Sequence, residues 1–289
     1  MQQFVKAKTI LTKYKQADSW FHIKYAMNLY RGCQHQCIYC DSRSECYRIA
    51  NFEDIVIKEN AIELLRSELR KLKEKDTIGT GSMNDPYMPI EQEVQLTRRA
   101  LEVIEEFRFP VHVITKSDLV VRDYELLKRI SRVFATVSIT ITTADDALSA
   151  ILEPGAPVSS RRFEAVRKLS EGGVRAGILM MPVLPFVNDT EENIRQMVEK
   201  AREAKAAYVL PAFGMTLRDK QRAYYFDKLA QWDASVLAKY EKYYHGQYSF
   251  LSPAHNKLSA LFSKLCNFYG IKMEIPAYEK VGGGQMTLF

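Results

Sequence analysis

Apolar positions along the chain alternate between two spacings, and the alternation predicts strand followed by helix from about residue 21 onward. FHIKYAMNLY (21–30) reads as a strand, and Ile62, Leu65, Leu69 and Leu72 mark a helix over 59–75. A short strand near 76–81, a helix over 91–107 and a strand at 111–116 (VHVITK) follow. A helix around 122–131 precedes FATVSITIT (134–142), whose β-branched residues suit a pleated surface. Residues 159–171 read as a helix stopped by Gly172-Gly173. VRAGILMM (174–181) reads as a strand ended by Pro182 and Pro185. Asp189 or Thr190 caps a helix to about 204, and a sixth strand lies near 206–212. Helices are predicted again over 233–244 and 253–269.

Strands alternating with helices imply parallel pairing, and the continuous apolar character of the later strands fits burial on both faces. The expected fold is α/β, an open partial TIM barrel, (β/α)6, with a C-terminal helical extension. In such barrels the chemistry sits at the carboxyl ends of the strands. The expected division is a core with its amino-terminal lead-in over 1–216, a helical extension over 217–275 and a flexible tail over 276–289. Gly282-Gly283-Gly284 forms a tether within that tail.

Composition narrows the setting. At 289 residues and 47% hydrophobic, the chain can bury a substantial core, and barrels of this length form one unit. No apolar run reaches membrane-spanning length, and MQQFVKAKTILTKYK lacks a signal-peptide core. A cytoplasmic protein without a membrane partner is expected, with its thiols kept reduced. A formal charge of +6, from 41 basic and 35 acidic residues, permits a nucleic-acid partner without demanding one.

The chemistry is concentrated in RGCQHQCIYCDSR, where Cys33, Cys37 and Cys40 stand in C-x3-C-x2-C spacing just after the first strand. Three thiolates on one short loop can hold three irons of a [4Fe–4S] cube, leaving the fourth iron open, whereas a closed electron-transfer cluster takes four cysteines. The alternative is a structural zinc with His35 as fourth ligand, although zinc ligands usually come as two separated pairs. Five cysteines, an odd number, speak against a disulfide framework. Cys46 matches no cluster spacing and is expected to be a small buried hydrophobe, and Cys266 is expected to pack in a helix.

The triplet, with Tyr39 before its last cysteine, resembles the radical SAM superfamily. NLYRGCQHQCIYCDSR, GTGSMNDPYMPIE, LTRRALEVIEEF, ITKSDLVVRD, VSITITT, LEPGAPVSSRRF and ILMMPVLPFVND occur in the order seen in its spore photoproduct lyase-like (DNA repair photolyase-like) branch. The likeness spans about residues 8–190. It implies a [4Fe–4S] cluster on Cys33, Cys37 and Cys40, S-adenosylmethionine on the open iron, and a low-potential electron donor. It also implies that Ser82 to Asp85 grip the cofactor's amino group, with oxygens from Asn84 and Asp85. Lys116 matches a lysine near the methionyl carboxylate, Ser138 a hydroxyl near the ligand, and Tyr39 a relay for an electron or hydrogen atom. The plainer roles are a solvated Lys116, a backbone-bonded Ser138 and a Tyr39 that packs beneath the cofactor.

One departure matters. Spore photoproduct lyases carry a hydrogen-donating cysteine where this chain has Ser82, and a serine O–H bond is too strong to replace it. Thymine-dimer reversal itself is therefore not implied. The expected activity is radical chemistry on a nucleic-acid lesion or modified base. A small-molecule or protein substrate, or a non-catalytic metal-containing nucleic-acid or clamp-binding protein, are the alternatives.

Two carboxyl-terminal features bear on partners. FGMTLRDKQRAYYF clusters Arg218, Lys220, Arg222, Tyr224 and Tyr225, which suits phosphate and base contacts or equally a solvated helix with a Tyr-lined inner face. Gln285, Leu288 and Phe289 resemble the Gln-x-x-Leu-Phe peptide with which bacterial repair proteins dock on the sliding clamp, which implies DNA as substrate.

Overall fold

The computed structural model of the chain describes residues 2–49 and 51–279. The tail with Gln285, Leu288 and Phe289, and the glycine tether, lie outside the described residues. Strands β1 (Tyr25–Met27), β2 (Ile78–Thr80), β3 (Val111–Thr115), β4 (Ala135–Thr140), β5 (Arg175–Met180) and β6 (Val209–Pro211) lie side by side in chain order. All five pairings between them are parallel. Leu11–Lys13 adds an antiparallel strand outside β1. Every residue of β4 is buried, as a parallel strand covered on both faces requires.

Helices between the strands each bury one stripe. Leu96–Glu106 turns Leu96, Ala100, Leu101, Val103 and Ile104 inward, and Ser159–Glu171 and Glu191–Glu203 pack on β5. Ser159–Glu171 ends at Gly172, and Gly173 takes a left-handed φ of 85°. Thr190 caps Glu191–Glu203 by accepting from the Asn193 amide. No helix among the described residues is long and apolar enough to cross a membrane.

Several expectations need correction. The helix expected over 91–107 breaks at Gln95, with φ 50°, because the buried Glu91 carboxylate accepts the amides of Thr97 and Arg98 at the start of the next helix. The strand expected over 21–30 is split: Tyr30–Arg31 leaves β1's sheet and pairs with Ile55–Lys58, which also pairs with Gln2–Val5. A helix at Asp146–Leu152 and an antiparallel pairing of Gly214–Thr216 with Ser249–Leu251 were not signalled by periodicity. Helix His255–Tyr269 places Leu258, Phe262 and Cys266 in the main core.

A polar chain runs through the interior beneath the sheet edge. The Tyr208 hydroxyl lies 2.7 Å from Ser138 Oγ, which lies 2.7 Å from His112 Nε2, and His112 Nδ1 donates to the Phe21 carbonyl at 3.1 Å. Gly177 on β5 makes room for it: a Cβ there would come within 2.3 Å of the Tyr208 ring. His112 is fully buried, and burial lowers its pKa to about 4. The folded chain therefore favours neutral imidazole, and the unfolded chain binds the extra proton first. This stabilisation is complete above about pH 6.5 and is lost as pH falls to about 4, on the order of 3 kcal/mol in all. Urea unfolding of wild type and His112→Gln at pH 7 and pH 4 should show the wild type losing more stability by roughly that amount. Parallel losses would remove His112 as the cause.

Candidate functional site

A cavity of about 920 Å³ opens where the loops after the strands meet. Cys33, Cys37 and Cys40 line it from the loop after Arg31, Ser82, Asn84 and Asp85 from the loop after β2, and Lys116 from the end of β3. Three loops far apart in sequence converge because parallel strands put all their carboxyl ends on one edge. Cys33 and Cys37 are buried and Cys40 half-buried. Burial, followed by the neighbouring Asp85 carboxylate, pushes the Cys33 thiol up to about 12, and burial likewise raises Cys37. As free thiols they are neutral at pH 7, so metal loading must displace protons.

The cysteine loop is clamped by the segment after helix Asp146–Leu152. Ile38 N–H donates to the Leu152 carbonyl at 2.9 Å, and Gly155 N–H to the His35 carbonyl at 2.9 Å. His35 Nδ1 bonds the Gly155 carbonyl at 3.0 Å. Only glycine fits there, since a Cβ on Gly155 would come within 2.0 Å of the Gln34 carbonyl oxygen. The Tyr39 hydroxyl donates to Glu153, whose other oxygen meets Arg162 Nη1 at 2.5 Å. Arg162 and Glu153 are both fully buried, and Arg162 also donates to the Pro157 and Thr140 carbonyls at 2.6 and 3.0 Å. Glu153, Gly155 and Arg162 thus set the height and tilt of the loop.

Lys116 is half-buried, with Nζ 5.7 Å from the Tyr39 ring centroid. Burial opposes its charge, but the facing Cys37, as thiolate, and Glu153 outweigh burial and hold its pKa above the usual lysine range. Asn84 gives its amide to the Tyr30 carbonyl at 2.5 Å, so its Oδ1 is the end left for a ligand, and Ser82 Oγ is 3.3 Å from Asn28 Oδ1.

Asp85 lines the cavity, and its carboxylate is also bonded within the fold. Its Oδ1 accepts from the Tyr87 amide at 2.8 Å and the Thr115 hydroxyl at 2.6 Å. Its Oδ2 accepts from the Lys116 amide at 2.6 Å and faces His35 Nε2 at 3.2 Å. Burial works against the carboxylate, yet His35 and these donors lower its pKa to about 2. Asp85 positions Lys116 and His35. Ser138 is corrected: it is absent from the described cavity wall, and its hydroxyl is engaged between His112 and Tyr208.

The donor set suits a multi-iron cluster better than one ion. His35, the proposed fourth zinc ligand, has both nitrogens turned to Gly155 and Asp85. Three thiols around one cavity mouth instead offer one ligand to each of three irons.

Outside the cavity, Cys46 is exposed rather than buried, with Sγ 3.3 Å from Arg218 Nη1. The basic run after β6 forms helix Asp219–Trp232 with Tyr225 as its buried inner face. Arg218 pairs with Asp41 at 3.2 Å and Lys220 with Glu45 at 3.3 Å, so those two charges are partly satisfied within the chain.

A sequence profile described as the radical SAM superfamily matches residues 27–201. An uncharacterized protein of Methanocaldococcus jannaschii is 35% identical over 171 residues, covering 58% of this chain and 63% of the relative. An uncharacterized protein of Mycobacterium tuberculosis is 27% identical over 264 residues, covering 88% of this chain and 76% of the relative. Among solved structures, a spore photoproduct lyase complexed with dinucleoside spore photoproduct aligns with a TM-score of 0.64 at 14% identity, over 95% of this chain and 82% of that one. At that identity the likeness is one of fold.

Proposed function

The chain belongs to the radical SAM superfamily, whose members use a [4Fe–4S] cluster and S-adenosylmethionine, and on that premise we propose an enzyme acting on a nucleic-acid lesion or modified base. In this reading the six parallel strands are an open (β/α)6 partial barrel, with Cys33, Cys37 and Cys40 holding three irons. Held there, the cluster would supply the electron for reductive cleavage of S-adenosylmethionine and so give radical chemistry at the substrate.

The residues around it bind and orient. The Lys116 ammonium suits the methionyl carboxylate as a point cation. Asn84 Oδ1 and Ser82 Oγ suit the amino group. Tyr39, tied to Glu153, supports the loop from below and excludes water. The observation that carries the reading is that the cysteines, the Ser82–Asp85 loop and Lys116 line one cavity from three separate loops. The nucleic-acid substrate is supported by the fold likeness to a lyase complexed with a dinucleoside photoproduct and by the chain's positive balance. Because Ser82 cannot donate a hydrogen atom, the product radical must be quenched by another donor.

The test is 5′-deoxyadenosine formation by cluster-loaded protein with and without ultraviolet-irradiated DNA. Stimulation by damaged DNA is expected. A rate indifferent to every nucleic acid supplied would overturn the substrate class while leaving the radical chemistry standing.

A further inference from the structure

The cavity that receives the cysteine loop has a second wall. Tyr14, Lys15, Trp20, Phe21 and Ile23 line it from the excursion between Leu11–Lys13 and β1. The excursion is tightly closed. Tyr14 N–H donates to the Lys24 carbonyl at 3.0 Å, and Asp18 N–H to the Ile23 carbonyl at 3.2 Å. The Asp18 carboxylate accepts the amides of Trp20, Phe21 and Ile23 at 3.0, 2.6 and 2.9 Å. His22 takes a left-handed φ of 55° so that the turn can close.

Adjacent side chains on this turn have opposite fates. Phe21 packs against the cluster of Leu179, Tyr208 and Ile275, and its carbonyl receives His112. Trp20 remains 51% exposed and Tyr14 39% exposed, although both line the cavity. The turn is therefore rigid without drawing on the packing of Trp20, and it presents a large aromatic face at low ordering cost. Asp18, the acidic group on this wall, is engaged by three amides, while Lys15 lines the same wall. An aromatic face next to a cation is the arrangement that takes up a base together with its phosphate.

We propose that Trp20 stacks on an unpaired nucleobase of the substrate, with Lys15 placed for the adjoining phosphate. This rests on the nucleic-acid reading above. It makes the amino-terminal excursion a specificity element and explains why an exposed tryptophan is held on so well-bonded a turn.

The probe is a fluorescently labelled single-stranded oligothymidylate carrying an ultraviolet-induced dimer, titrated against the full chain by anisotropy. Trp20→Ala and Trp20→Leu should weaken binding by roughly 5- to 150-fold, the range for loss of one base–aromatic stack, and Trp20→Phe should recover most of it. Leucine keeps the apolar bulk and loses the π face, so it separates stacking from packing and from any folding defect in the alanine variant. In Trp232→Phe, Trp20 is the sole tryptophan, since the chain has two. Its emission should be quenched along the same binding curve. Leucine binding as well as phenylalanine, or wild-type affinity in both variants with unmoved Trp20 emission, would overturn the stacking and leave the nucleic-acid reading intact. No binding by the wild-type chain would overturn both.

Discussion

Cys37→Ala should abolish cluster retention and reduce S-adenosylmethionine cleavage to background. In the proposed reading each thiolate would hold one iron, and removal of one would leave the cube attached at two points. No neighbour replaces it. His35 is committed to Gly155 and Asp85, and Cys46 stands exposed beside Arg218. The fold should survive, because the loop is anchored through Ile38, His35 and Tyr39 to the Leu152–Gly155 segment rather than through sulfur. The checks are iron and sulfide per chain after anaerobic reconstitution, 5′-deoxyadenosine yield, and the urea midpoint of the metal-free protein. A variant with full iron, full sulfide and undiminished cleavage would contradict the assignment.

The largest effect on stability should come from Arg162→Met. The substitution leaves Glu153 buried, charged and without its cation, at a cost of about 3–5 kcal/mol. Against a typical total of about 5–15 kcal/mol, that is enough to unfold a marginal domain. Arg162→Met combined with Glu153→Gln removes both charges and should recover much of the loss, so the two substitutions should be strongly non-additive. Urea unfolding of the two single variants and the double variant measures this directly. A single-variant loss below about 1 kcal/mol, the scale of an exposed ion pair, would mean that the pair is not buried in solution. Because Glu153 also receives Tyr39, the double variant should still bind cluster less firmly than wild type.

What could be read from the chain, and what could not, follows from the range of the interactions. Helix Ser159–Glu171 was legible because its apolar stripe and terminal Gly172-Gly173 are local signals. So was the cysteine triplet, whose chemistry is carried by spacing alone. Ser138 shares a face of β4 with Thr140, which lines the cavity, but sits one layer deeper, and alternation carries no signal of depth. Its partners His112 and Tyr208 lie 26 and 70 residues away. The bonding of Asp85 within the fold was silent, because its partners come mostly from another strand and from the cysteine loop. Arg162 sits in the polar run SSRRF and reads as solvated, although it is among the largest fully buried side chains. LEPGAPVSSRRF was part of the family resemblance, but nothing within it revealed that Glu153, Gly155 and Arg162 hold the cysteine loop. The Gln95 break was equally silent, since Glu91 creates it through a buried carboxylate that periodicity does not register.

In the proposed reading Cys33, Cys37 and Cys40 would present a cluster with one open iron to S-adenosylmethionine held near Lys116. The measurement that tests it most directly is anaerobic: reconstitute the cluster, verify iron and sulfide, reduce it, add S-adenosylmethionine and quantify 5′-deoxyadenosine. Wild type should yield 5′-deoxyadenosine, and Cys37→Ala none above background. No product from fully loaded wild-type protein, with any low-potential reductant, would contradict that reading.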